Sequence, residues 1–207
     1  MLGGCTIQKS IITISREYGS GGRIIGRQLA NELGVPFYDR EIIGMTAKKS
    51  GFSEKFVNEI DQQTTSSLLF NLCTTTQVPT VRDMVYLAVA DIIRNIASSG
   101  ACVIVGRCAD YVLRKQENCF NTFIHAPFEE RIRRVRDEYR TFVGHDEKEL
   151  VSLIQKRDKS RASYYNYFTD HTWGNCQNYD LTINSLIGID AVVSAIALLV
   201  RYGGEND

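Results

Sequence analysis

Ile11-Ile12-Thr13-Ile14-Ser15-Arg16-Glu17-Tyr18-Gly19-Ser20-Gly21-Gly22-Arg23 reads as a buried strand running into a glycine turn. Four of its first five residues are β-branched, three of them isoleucine, as in a strand buried on both faces of a parallel sheet. Three glycines then fall within four residues, and Ile24, Ile25, Leu29 and Leu33 recur at helical spacing beyond them. Such glycines let the chain turn tightly and aim successive N–H groups at one anion, while a helix N-terminus adds roughly half a positive charge. A plain strand-to-helix turn also favours glycine, but this density exceeds what a turn needs. Gly19, Ser20, Gly21, Gly22, Arg23 and Ile24 are therefore expected to bind phosphate.

Working outward, Gly34 and Pro36 stop the first helix, and residues 35–38 read as a second strand ending at Asp39. Residues 41–49 and 53–60 read as helices divided by Gly51, followed by a polar, Thr-rich connection at 62–78. Thr80-Val81-Arg82-Asp83 resembles a capping box opening a long helix, which Gly100 is expected to close in a left-handed turn. Residues 101–105 and 121–126 are further apolar runs, and Pro127 suits the first turn of a helix reaching about Arg140. The acids at 146–149 open another helix, running to about Tyr165; residues 179–184 form the fifth strand, and an apolar helix closes the chain. Five alternations of strand and helix predict a parallel sheet covered on both faces.

At 207 residues, 43% apolar and with a formal net charge of zero, the chain suits one globular domain and lacks the basic excess of nucleic-acid binders. Six cysteines stand without a C-x-x-C pair, so free thiols in a reducing cytoplasm are expected rather than disulfides or zinc. The first ten residues show no secretory signal, and the apolar run at 189–200 is too short for a bilayer and carries Asp190. That helix either covers the sheet or joins two copies in a homodimer. His125, His145 and His171 show no metal-ligand spacing.

Registered on the following helix, the glycine turn fits G-x-x-x-x-G-K-[ST] imperfectly. Arg16 stands at the first glycine, Gly21 at the second, Gly22 at the lysine and Arg23 at the magnesium-binding hydroxyl. Arg23 could restore the charge from one position later; Ser15 and Ser20 are candidate metal or phosphate partners out of their usual place.

From Ile12-Thr13-Ile14-Ser15 through the glycine turn, and again at Leu33-Gly34-Val35-Pro36-Phe37-Tyr38-Asp39, the chain resembles the cytidylate kinase-like branch of the P-loop nucleoside monophosphate kinases. Gly106-Arg107, Arg131 to Arg134, Arg157-Asp158-Lys159-Ser160-Arg161 and the strand at 179–184 extend the likeness along nearly the whole chain. It implies a three-layer α/β/α, P-loop nucleoside triphosphate hydrolase-like fold with a five-stranded parallel sheet. It implies one domain over 1–207, with a helical acceptor-binding insertion at about 40–80 and a lid-like helical region at about 131–170. ATP, Mg2+ and a cytidine monophosphate-like or other small acceptor follow from the same likeness, with no nucleic acid and no membrane as partners.

Arginines suit such chemistry because their planar fork grips phosphate oxygens and keeps its charge. By the resemblance, Arg23, Arg157, Arg161 and Asp158 serve catalysis, and Asp39, Arg107, Arg131 and Arg134 bind the acceptor. Arg157 and Arg161 lie four apart on one helix face, as a closing lid requires. The aromatic group Tyr164, Tyr165, Tyr167 and Phe168 suits helix packing better than base stacking. A nucleotide-binding regulator without transferase activity is the second reading, supported by the absent lysine.

Overall fold

The computed structural model describes residues 9–62, 79–139 and 146–202. The Thr-rich connection beyond Gln62, Arg140, His145, Cys5 and Cys73 lie outside the described residues.

Five strands, β1 (Ile11–Arg16), β2 (Phe37–Tyr38), β3 (Cys102–Val105), β4 (Cys119–His125) and β5 (Leu181–Asn184), form one sheet in the order β2-β3-β1-β4-β5. Every neighbouring pair is parallel; Ile11 aligns with both Cys102 and Cys119. β1 is central, so both faces of it are covered and its residues 11–15 are buried without alternation.

Helices fill the two outer layers. On one face, α1 (Gly22–Leu33) and the last helix, α8 (Ile189–Tyr202), pack Ile25, Leu29, Val192 and Ile196 against Ile12, Ile14, Val103 and Ile124. On the other, α2 (Glu41–Ser50), α3 (Glu54–Gln62), α4 (Val81–Ser98) and the single turn α5 (Ala109–Val112) cover Ile11, Cys102 and Ile104. Two more helices, α6 (Phe128–Glu138) and α7 (Glu147–Phe168), pack on each other through Ile132, Val135, Leu150 and Ile154.

The expected capping box forms: Thr80 Oγ1 accepts from the Asp83 amide while Asp83 accepts from the Thr80 amide. The end of α4 differs from expectation. Ser99 is the cap in a right-handed conformation, and Gly100 at φ +138° lies outside the left-handed helical region. The terminal apolar helix covers the sheet, although Leu198, Leu199 and Tyr202 on its far side are exposed. Cys102, Cys108, Cys119 and Cys176 are free thiols. Among the described residues no helix is long and apolar enough to cross a membrane.

Candidate functional site

The glycine turn leaves the carboxyl end of the central strand, where parallel sheets place their ligands. Gly19 and Gly21 both have φ +82°, a conformation other residues adopt only at a cost. Side chains there have no room either. A Cβ on Gly19 falls 2.9 Å from the Arg131 carbonyl oxygen, and one on Gly21 falls 2.6 Å from Ile189 Cδ1. Ser20 is fully buried and donates its hydroxyl to the Glu17 carbonyl at 2.9 Å, so it ties the loop to itself rather than facing a ligand. Helical bonding begins with the Ile25 amide on the Gly21 carbonyl, which leaves the N–H groups of Gly22, Arg23 and Ile24 at the open end of α1.

Arg131 and Arg134, one helical turn apart on α6, brace this loop from beneath. Arg134 is 4% exposed; it donates to the Gly19 carbonyl and to Ser185 Oγ, both at 3.2 Å, and to Glu130 at 2.9 Å. Ser185 in turn donates to the Ser20 carbonyl at 2.6 Å. Arg131 donates to the Tyr18 carbonyl at 3.3 Å and pairs with Asp158 of α7. Asp158 also accepts the Tyr18 amide at 2.7 Å. The structure therefore brings Arg131 and Arg134 onto the carbonyl oxygens of the turn, whereas the sequence reading placed them on the acceptor.

α7 carries the two remaining arginines toward the same loop. Arg161 donates to the Arg16 carbonyl at 2.9 Å and lies 3.9 Å from Asp158. Burial pulls the Arg161 guanidinium below its ordinary value, while the Asp158 carboxylate pulls it back up. The charges of Arg157, Arg161 and Arg40 reach the Tyr18 hydroxyl, where they oppose the upward push of burial.

Across the loop, at the end of β2, Asp39 is 5% exposed and meets cations from the ends of β1 and β3 and from the first turn of α1. Arg23 Nε lies 2.7 Å from one carboxylate oxygen and Arg16 Nη2 lies 3.8 Å from the other. Arg107 Nε donates to the Asp39 carbonyl at 3.3 Å. Gly106, Arg107 and Cys108 all have positive φ, at +79°, +61° and +54°. Two consecutive non-glycine residues in that region store strain of a kind found at ligand sites. The structure thus brings together Arg23, Asp39 and Arg107, which the sequence reading places on donor and acceptor.

The cytidylate kinase-like family model matches residues 11–186. The chain belongs to the cytidylate kinase-like family. No curated protein matches it. Among solved structures, an uncharacterized protein from Eubacterium ventriosum superposes with TM-score 0.68 at 25% identity, covering 93% of this chain and 98% of that one. A shikimate kinase from Bacteroides thetaiotaomicron superposes with TM-score 0.55 at 16% identity, covering 92% and 98%. A gluconokinase from Sinorhizobium meliloti gives TM-score 0.54 at 15% identity, covering 95% and 93%. The fold is that of the P-loop kinases, as the family resemblance implies, and its parallel sheet is the one the strand pattern predicts.

The sequence reading missed two features of this family member. Arg82, on the first turn of α4, is 8% exposed and lies 4.7 Å over Tyr167 and 5.3 Å over Phe168, with Nε and Nη2 lacking a hydrogen bond. A buried cation with unmet donors is costly unless it is paired, which marks this arginine out from a solvated one. Only its cap neighbours marked it in the sequence, because an arginine at that helical position is ordinarily solvated. The aromatic group itself packs α7 on α4, with Tyr86 stacked on Phe168 at 4.1 Å.

Asp110 is the second. It is 4% exposed and accepts from Ser15 at 3.3 Å and from Tyr165 at 2.7 Å. Burial raises its pKa despite those bonds. A raised carboxyl favours folding while protonated, so its contribution is present below about pH 3.9 and is lost as pH rises through the folded value. Asp110→Asn is expected to remove that stretch of the stability profile, so variant and wild-type melting curves converge toward acid and diverge above it. Parallel curves across that range contradict the assignment.

Proposed function

We propose that the protein is an ATP-dependent phosphotransferase that moves the γ-phosphoryl group onto a small acceptor, of which cytidine monophosphate is the first candidate. One observation carries the reading: a carboxylate at the end of β2, held against Arg23 and Arg16 beside Arg107, directly across from an open helix N-terminus. A passive nucleotide binder has no use for an acid facing the phosphate cradle.

The donor set suits a triphosphate. Amides of the turn and of Gly22, Arg23 and Ile24 would hold the inner phosphates, while Arg157 and Arg161 on α7 close over the outer ones. Asp39 would accept the acceptor's proton or orient it, and Arg107 and Arg82 would draw in an anionic acceptor. No hydroxyl stands at position 23, so Mg2+ would be held by the ATP oxygens and, through water, by Asp39. When bound, the ion neutralises charge on the transferring group. Arg131, Arg134 and Asp158 act as loop braces in this scheme.

The test is ADP release with ATP, Mg2+ and a panel of nucleoside monophosphates, with small hydroxy acids and polyols as further acceptors. Acceptor-dependent ADP is expected. Tight ATP binding without turnover on any acceptor would instead support the second reading, a nucleotide-binding regulator, which Gly22 at the lysine position favours.

A further inference from the structure

In the P-loop register Gly22 occupies the place of the lysine, and Arg16 the place of the first glycine. The structure shows that these two departures share one volume. A Cβ on Gly22 falls 2.7 Å from Arg16 Cβ and 2.9 Å from Arg16 Cγ, contacts that real side chains do not make. The stem of Arg16 fills the space through which a side chain at position 22 would leave the loop. Its guanidinium then runs to the end of β3, where a Cβ on Gly106 would overlap Nη1, and stops 3.8 Å from Asp39. Only glycine at 22 admits the stem; the head lies against Gly106, whose φ of +79° itself favours glycine. The backbone of Arg16 is fixed in turn by Arg161 on its carbonyl oxygen.

We infer that Arg16 supplies, from across the loop, the P-loop cation that Gly22 cannot. Arg23 is not that cation: its guanidinium engages Asp39 at 2.7 Å and its side chain is 42% exposed, on the acceptor side of the turn. A guanidinium from position 16 reaches the same region between phosphate cradle and Asp39 while presenting two parallel donors instead of an ammonium point charge. This inference rests on the proposed ATP-dependent activity, and the test separates the two.

ATP and AMP affinities are measured by calorimetry on the full chain, with melting curves alongside. Wild-type protein that binds no ATP overturns the underlying reading. Given binding, Arg16→Gly is expected to lose roughly 10–100-fold in ATP affinity, the worth of one or two charge-assisted hydrogen bonds, with AMP affinity nearly unchanged. Arg16→Lys, which keeps the charge, retains ATP affinity within about tenfold. Gly22→Lys alone binds ATP worse than wild type, because lysine meets the Arg16 stem. The double variant Arg16→Gly/Gly22→Lys returns ATP affinity to within about threefold of wild type, the lysine entering the vacated space. An Arg16→Gly chain that keeps wild-type ATP affinity, or that loses AMP as steeply as ATP, overturns the inference. So does a double variant no better than Arg16→Gly.

Discussion

Asp39→Asn is expected to lower turnover ~10²–10⁴-fold while ATP affinity stays level or improves. Asparagine keeps the shape of the side chain but can neither take a proton nor balance the Arg23 and Arg16 guanidinium groups, which lie 2.7 and 3.8 Å from the carboxylate. With the anion gone, the Arg16 guanidinium turns its full charge toward phosphate, so binding gains as transfer collapses. That opposite movement separates a reacting acid from a structural one. An acid that merely anchored arginines would, on removal, loosen ATP and leave the rate on bound substrate intact. The assay is steady-state kinetics at saturating acceptor, paired with calorimetric ATP titration. A kcat within about threefold of wild type removes Asp39 from the chemistry.

Arg134→Met is expected to destabilise the fold by roughly 3 kcal/mol, at the low end for breaking a buried ionic pair because Glu130 also pairs with Arg133. The substitution strips donors from the Gly19 carbonyl and Ser185, both enclosed beneath the loop. For a chain of this size that corresponds to a fall of roughly 6–12 °C in Tm. ATP affinity should drop with it, since the turn loses its floor. Arg133→Met is the matched control: its side chain is 52% exposed and its loss should stay within about 0.5 kcal/mol. Equal Tm values for the two variants contradict the bracing role.

The contrast between Arg133 and Arg134 also shows what could be read from sequence. Spacing by one helical turn singles out Arg131 and Arg134 from an arginine-rich helix, and both are buried, at 8% and 4% exposure. Spacing cannot say what lies opposite a helix face, so their destination on the P-loop carbonyls was invisible. The strands were legible because buried parallel strands are runs of apolar residues; their ends shifted by up to two residues where apolar flanks such as Tyr179 continue the pattern outside the ladder. The glycine turn was legible because positive φ leaves few choices of residue. Arg82 and Asp110 were not, since each is buried by partners distant in sequence, and a lone charged residue carries no mark of its surroundings.

The overlap of Arg16 with the space beside Gly22 has a consequence for how such a loop could arise. From a lysine-bearing ancestor, arginine at 16 alone collides with the lysine, and glycine at 22 alone strips the loop of its cation. Both single steps pass through a handicapped intermediate, so the two positions are expected to change together or not at all. Relatives should fall into two classes, glycine at 16 with lysine at 22 or arginine with glycine, with mixed pairs rare.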